Sequence, residues 1–427
     1  MAQNLAIQSL GLHTNTSPFM VPQGSLVEAK NVVIDRPGLI EQRRGFQKYG
    51  NTALASPKKL FNFRDTLLAH YGDQIAYDSD GAGTWVAYSG TFNPAGSKMR
   101  GVEVNKSFYF TANVGVQKID SVTGTPADAG IPAALNGSGA VTAGAGTWFT
   151  TAKQVAYRVV WAKLDANKIE VVGAPSGRIM VANTSGSTKN VDLTWVVPTG
   201  ITTSHYWQLY RSTMADWPST DGTDAANDEL QLVAQAFYVS GTTVSYTDIT
   251  PQELMGPFLY TNVGQEGIEN SNYEPPLCTD IATYKGLCFY SNTQKKHYLD
   301  LTLIGTSIVA DDTITFTAGS NSFTITAKAA ENTAAGQFKV SALPTVSEKI
   351  TETANSIVNV LNQYASNTFL NAFYTSTYGE APGRIRIEAR EFTSSAITVT
   401  ASAHGTSFIP NLPTSGSSVI SQNDAKP

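Results

Sequence analysis

Three stretches of this 427-residue chain repeat one rhythm, and that rhythm limits the fold more than any other feature. They are LFNFRDTLLAHYGDQIAYDSDG (60–81), VEVNKSFYFTANVGVQKIDSVTG (102–124) and IATYKGLCFYSNTQKKHYLDLTL (281–303). Each opens with a short strand and a two-residue polar turn: Arg64-Asp65, Asn105-Lys106 or Lys285-Gly286. A second apolar strand follows, Leu67-Leu68-Ala69, Phe108-Tyr109-Phe110 or Leu287-Cys288-Phe289-Tyr290. A polar loop then leads to a third strand that ends near Asp78, Asp120 or Asp300. Recurring three-strand meanders are the sequence form of propeller blades. An ordinary antiparallel sheet with similar turns is the plainer alternative.

YDSDGAGTW (77–85) strengthens the blade reading, because it approaches the Asp-box turn S-x-D-x-G-x-T-W found between blade strands. Asp80, Thr84 and Trp85 fall in place, with the glycine at 83 rather than 82. Asp78 and Asp80 also imitate the start of a calcium loop. Such a loop needs further carboxylates and a late bidentate Glu, which do not follow, so no metal site is expected.

Other patterns separate the blades. Residues 146–255 hold strands at near-regular spacing, QVAYRVVWAKL, SGRIMVAN, VDLTWVVP, HYWQLYRST, ELQLVAQAF and VSYTDIT, as in an immunoglobulin- or fibronectin-like β-sandwich. Within SHYWQLYRS, Tyr206, Gln208 and Tyr210 alternate with Trp207, Leu209 and Arg211, so either face can be aromatic-lined. LNGSGAVTAGAGTW (135–148) reads as the linker into this block. In the last block, DTITFTAGSNSFTITA reads as a hairpin turning at Gly319-Ser320. TVSEKITETANSIVNVLNQYA reads as a helix with one apolar stripe, Ile350, Ala354, Ile357, Val358, Leu361 and Tyr364, and a Thr345–Glu348 capping box. GRIRIEAREF and AITVTAS return as strands. The expected fold is mainly β: an incomplete propeller (1–145 and 256–301) carrying a β-sandwich insert (146–255) and a small α+β insert with a terminal loop (302–427).

Composition bears on function by exclusion. The formal net charge is −5 and only 15% of residues are charged. A protein that lives by phosphate contacts shows a basic balance, so a general DNA binder is disfavoured, whereas a wall past which DNA slides should be neutral or acidic. Cys278 and Cys288 lie ten apart; they read as two buried thiols, with a hairpin disulfide as the alternative. Neither a signal peptide nor a membrane-spanning run is apparent. The histidines, His13, His70, His205, His297 and His404, stand in no metal-binding spacing. There is no P-loop, dinucleotide fingerprint or nucleophile elbow. Asp311-Asp312 reads as a solvated turn. No enzyme, cofactor or metal is expected.

The stretch NVVIDRPGLIEQRRGF (31–46) is the strongest local candidate for a site. Two apolar runs flank an Asp35–Gly38 turn, with Gly38 supplying a backbone conformation a Cβ would oppose. Arg43 and Arg44, followed by Gly45-Phe46, read as an ion-paired strand end rather than a phosphate grip, with Glu41 and Asp35 at hand as partners, and as the joint that would hold the hairpin to a neighbouring blade or subunit. Lys295 and Lys296 in QKKHY form a second small basic point on a solvent-facing strand or loop.

GSLVEAKNVVIDRPGLIEQRRGF (24–46) resembles the opening of tail proteins of short-tailed bacteriophages, the nozzle or tail tubular B family and the related packaged-DNA-stabilisation proteins. Ala29, Asn31, Asp35, Gly38, Arg43, Arg44, Gly45 and Phe46 carry the resemblance. NSNYEPPLCTDIATYKGLCFYSN (270–292) is similar to a recurrent Pro-Pro turn leading into a blade. ITETANSIVNVLNQYASNTFLNAFY (350–374) with its hairpins is similar to an insertion module of phage structural proteins. The resemblance implies a propeller with inserts and a homo-oligomeric, hexameric ring below the portal and adaptor proteins. It further implies contacts with other tail proteins in the virion, and passage of double-stranded DNA without sequence recognition. The function expected is a structural tail nozzle that retains and conducts the genome. The alternative is a propeller-based receptor- or glycan-binding tail protein, with Trp207 and Trp217 lining a shallow groove.

Overall fold

The computed structural model describes residues 12–13, 17–22, 25–36, 39–43, 45, 47–50, 54–92, 98–217, 226–261, 273–376, 380–392, 395–414 and 417–424. The chain divides into two compact units, Met1–Ala53 with Ser79–Thr84, and Leu54–Asp78 with Trp85–Pro427. Among the described residues no helix is long and apolar enough to cross a membrane.

The smaller unit holds an antiparallel hairpin, β1 (Val32–Arg36) and β2 (Leu39–Gln42), with Arg36 opposite Leu39. Asp35 therefore lies within a strand rather than in the turn. The same unit holds the Asp-box-like loop. The Asp80 carboxylate accepts from the amides of Ala82 and Thr84 and from the Thr84 hydroxyl, and Ser79 donates to the Thr84 carbonyl. Its displaced glycine has a steric reason: a Cβ on Gly83, at φ +96, would stand 2.4 Å from the Gly50 Cα.

The larger unit is mainly β and opens with two four-stranded meanders. The first comprises β3 (Pro57–Phe63), β4 (Thr66–Tyr71), β5 (Gln74–Asp78) and β6 (Trp85–Ala87). The second comprises β7 (Gly101–Val104), β8 (Ser107–Ala112), β9 (Gly115–Ile119) and β10 (Ala127–Asp128). Arg64-Asp65 and Asn105-Lys106 join their strands as two-residue turns with φ positive at both positions. This mirror-image turn matches the right-handed strand twist, which offsets the left-handed strain on non-glycine residues. Phe61, Phe63 and Leu68 of the first sheet share one buried cluster with Phe108, Phe110 and Ile119 of the second.

The sandwich follows. Its smaller sheet runs β11 (Gly137–Thr142), β15 (Asn190–Val196), β19 (Thr243–Asp248). The larger is built on the twelve-residue β12 (Lys153–Leu164). β13 (Glu170–Val172), β14 (Ile179–Asn183), β16 (His205–Arg211) and β17 (Ala215–Asp216) pair with β12, and β18 (Gln231–Phe237) pairs with β16. Trp161, Trp207 and Leu209 meet Leu193 and Trp195 in a single core between the sheets. The glycine-rich stretch expected to be a linker is strand β11. A Cβ on Gly139 would stand 2.5 Å from Val181 Cγ2, and one on Gly137 would stand 2.7 Å from Ile179 Cδ1. Those glycines serve sheet approach rather than flexibility.

Strands β20 (Asp280–Tyr284) and β21 (Leu287–Ser291) form the third hairpin around Lys285-Gly286. Ile281 and Cys278 pack with Val116 of the second meander. The expected third strand of this blade goes elsewhere. β22 (Tyr298–Leu303) pairs with a strand of the last module, where Leu299, Leu301 and Leu303 are buried, so that module begins before residue 302. It also contains β23 (Thr313–Ala318), β24 (Asn321–Lys328), β25 (Gln337–Lys339), α1 (Val346–Gln363), β26 (Leu370–Tyr374), β27 (Arg384–Ala389), β28 (Ile397–Ala401), β29 (Phe408–Ile409) and β30 (Val419–Ile420). The sheets β26-β27-β22-β29 and β25-β24-β23-β28-β30 share a core with Ile350, Ala354, Ile357, Val358 and Leu361 of α1. The capping box forms: the Thr345 hydroxyl accepts from the Glu348 amide and the Glu348 carboxylate accepts from the Thr345 amide. No closed propeller or barrel forms among the described residues.

Candidate functional site, a polar seam between meanders and sandwich

The sequence-predicted residues at 35–46 do not assemble into a described site. Gly38, Arg44 and Phe46 lie outside the described residues, as does the Asp35 side chain. Arg43 is exposed, and its amide donates to the Asn31 carbonyl at 2.7 Å, extending the hairpin. Gly45 is exposed with nothing within 4 Å of the position a Cβ would take. The proposed groove tryptophans separate. Trp207 is only 6% exposed and packs edge-on to Trp195 inside the sandwich, so it cannot line a surface groove. Trp217 is half-buried at the end of β17, and its amide bonds the Ala152 carbonyl. The basic pair of QKKHY is engaged: Lys295 meets Asp424 at 3.4 Å and Lys296 meets Glu274 at 2.6 Å. Asp312 is not a solvated turn residue. It is buried, accepts from the Val309 amide and lies 2.8 Å from His404 Nδ1.

A different set of residues comes together where the β12–β13 turn of the sandwich meets the two meanders. Its centre is Asp165, buried at the end of β12. Lys118 Nζ of β9 donates to Asp165 Oδ2 at 2.7 Å, while the amides of Asn167 and Ile169 donate to Oδ1. Burial opposes ionisation of this carboxyl. The hydrogen bonds from Lys118, Ile169 and Asn167 outweigh it and hold the group below its ordinary range. Around this pair, Asn167 Nδ2 donates to the carbonyls of Lys106 and Asp120 and to the Ser107 hydroxyl. Arg64, from the first meander's turn, donates to the Lys106 and Asp120 carbonyls and to Asn167 Oδ1. The Asp120 carboxylate accepts from the Ala166 amide at 2.9 Å. One sandwich turn thus clasps the turns of both meanders. A second joint couples Asn136, at the entry to β11, to Asn359 and Asn362 on α1.

Inside the sandwich, Arg211 and Asp248 form an ion pair whose side chains are 1% and 0% exposed. Tyr157 Oη donates to the same carboxylate at 2.9 Å, and the Arg211 guanidinium lies 3.5 Å from the Trp148 ring centroid. This pair links the two sheets, as Arg211 is on β16 and Asp248 on β19. Burial pushes the Tyr157 phenol well above its usual value, with the Asp248 charge adding to the effect.

These groups bind structure rather than activate a nucleophile. Burial pushes the Cys278 thiol up to about 11, aided by Asp280, and also raises Cys288; both cysteines are free. His70, His205 and His297 are held below their ordinary value, first by burial, and lie in three different modules. Among the described residues no three His, Cys, Asp or Glu side chains are grouped to hold a metal ion.

Neither the protein-family models nor the curated proteins gave a match to this chain. The seam has faint sequence signals: polar two-residue turns, and an Asp-Ala-Asn-Lys tetrad at 165–168 ending a long apolar strand. What the sequence lacked was any sign that these distant turns meet.

Proposed function

We propose that this chain is a structural component of a bacteriophage tail, a ring-forming nozzle that extends the portal channel and retains and conducts the genome. The observation that carries the reading is the open end of the sheet stack. The first meander packs on the second, and the second packs on the β20–β21 hairpin. On the other side of that hairpin Tyr284, Leu287 and Phe289 are 63%, 63% and 52% exposed. These residues stand on one face, Ala282 opposite Phe289 and Tyr284 opposite Leu287. An apolar sheet face of this kind is suited to a neighbouring copy. The seam supports the reading from another side, since rigid polar joints suit modules that must keep their geometry under load. The net charge of −5 suits a wall that does not grip DNA. The resemblance at 24–46, 270–292 and 350–374 supplies the virion, the portal and adaptor partners and the hexameric expectation.

Mass photometry and electron micrographs of the purified protein test this reading. Closed rings of identical copies are expected, lost in the Leu287→Glu, Phe289→Glu double variant. A wild-type protein that stays monomeric at high micromolar concentration would sink it.

A further inference from the structure

An edge strand presents a row of backbone N–H and C=O groups, and this chain covers several of its own edges. On β26, the Asn367 side chain bonds both the amide and the carbonyl of Leu370, and the Asn362 side chain does the same for Ala372. On β18, the Leu232 amide donates to the Pro257 carbonyl, and its carbonyl accepts from the Gly256 amide. Edge strand β3 opens with Pro57, Lys58 and Lys59 and a register shift between 57 and 59, features that turn an incoming strand away.

Strand β19, at the edge of the smaller sandwich sheet, has none of these covers. The Val196 amide donates to the Asn136 carbonyl and the Val197 amide to the Thr242 carbonyl, so the odd-numbered residues of β15 address β19. Their partners Val244, Tyr246 and Asp248 complete that ladder opposite Trp195, Leu193 and Val191. The amides and carbonyls of Thr243, Ser245 and Thr247 therefore point away from the sheet. All three residues are exposed, and among the described residues no backbone group outside the sheet bonds them. Residues 242–247 contain no charged residue and no proline, and their register with β15 is unbroken.

We infer that two copies of this chain pair antiparallel along β19, with Ser245 opposite the partner's Ser245 and Thr243 opposite the partner's Thr247. The edge is complementary to itself. Its outward residues run Thr, Ser, Thr in either direction, so a two-fold axis at Ser245 sets matching residues side by side. Each facing pair exchanges two N–H···O bonds, about six in all. A charged edge would oppose self-pairing, because like charges would meet across the axis; this one carries no charge. Hydroxyls on the same face already pair between strands: Thr194 Oγ1 lies 3.0 Å from Ser245 Oγ, and Thr247 Oγ1 donates to Asp192 Oδ1 at 2.6 Å. That small polar row continues onto the partner, and two three-stranded sheets become one of six strands. The contact does not use the β20–β21 face, so it stands apart from the ring reading.

The full chain carrying Leu287→Glu and Phe289→Glu, which disables the ring contact, is the parent for the test. Sedimentation velocity of this parent at high micromolar concentration should show dimers. Adding Ser245→Pro should weaken dimerisation about tenfold. The Ser245 amide points off the sheet, so a proline there removes no ladder bond from the monomer. Ser245→Lys and Ser245→Glu should each weaken dimerisation to a similar degree, since like charges then face each other at the axis, and mixing the two should restore it. A parent that stays monomeric overturns the inference and leaves the edge to an extended segment of a different protein. A Ser245→Pro variant that dimerises as tightly as its parent overturns it too, as does a Lys–Glu mixture that stays monomeric. Absence of rings in the wild type would count against the ring reading alone and leaves each of these outcomes unchanged.

Discussion

Two aspartates of the sandwich are buried, and each grips a cation, but they serve different ends. Asp248 holds Arg211 between the two sheets, with Tyr157 as a further donor, so every partner belongs to the module it stabilises. Asp165 spends one oxygen on the amides of its own turn and gives the other to Lys118 on the second meander. The interior pair is fully removed from water, whereas the Lys118 side chain keeps 12% exposure. The first arrangement fixes how one module closes; the second fixes how separate modules meet. The drier pair thus lies within one module, and the wetter pair lies at the junction between modules.

The interior pair offers the largest effect. Arg211→Met leaves the Asp248 carboxylate buried without its cation and should cost about 3–5 kcal/mol in urea unfolding. Replacing both partners with apolar residues, Arg211→Met with Asp248→Leu, should recover much of that loss, because neither charge then needs desolvation. A single-variant loss below about 1 kcal/mol would show that water reaches Asp248 and that the contrast with the seam is false.

At the seam the effect is smaller and local. Asp165→Asn keeps the shape but removes the charge that Lys118 and two amides address, and should cost about 1–3 kcal/mol. Hydrogen exchange should speed up at Ala166, Asn167 and Ile169 while β12 stays protected. Global acceleration instead would merge the seam with the sandwich core.

Acid separates the two kinds of group further. His70, His205 and His297 have folded values lowered from 6.5, so the stability they contribute is complete above that pH. It declines as pH falls below 6.5 and the unfolded chain takes up protons first. Asp165 is lowered from 3.8, so its contribution is complete above that value and is lost as pH falls through the lower folded one. Melting curves across this range should show both declines in the wild type, and a smaller second one in Asp165→Asn, where Glu352, opposed by burial but lowered overall by its bonds with Lys339 and Ser341, still titrates.

How much of this was legible depended on whether the information was local. The two-residue turns at 64–65, 105–106 and 285–286 were readable because register and turn chemistry lie in neighbouring residues. The helix and its capping box were readable for the same reason. β22 was misplaced because its alternating leucines fit a blade as well as a helix-covered sheet, and only its distant partner β27 decides. Gly137 and Gly139 read as a linker in the sequence because a glycine that admits a neighbouring sheet looks like one that confers flexibility. Trp207 was placed on the wrong face, since alternation gives two faces but not which one meets the second sheet. The seam was invisible: Arg64 and Asn167 are 103 positions apart, and each alone is an ordinary turn residue.

The smallest expected effect also tests the seam most finely. Arg64 is exposed and makes its bonds to carbonyls and to Asn167 rather than to a charge. Arg64→Met retains the aliphatic stem beside Phe63 and should cost less than about 1 kcal/mol. In a double-mutant cycle with Asn167→Ala the coupling should be about 0.5 kcal/mol, well below that of a Lys118→Met, Asp165→Asn cycle. The ordering follows from burial, because water competes for the Arg64 guanidinium and much less for Asp165. If Arg64 and Asn167 couple more strongly than Lys118 and Asp165, the outer clasp rather than the buried ion pair governs how the sandwich is held to the meanders.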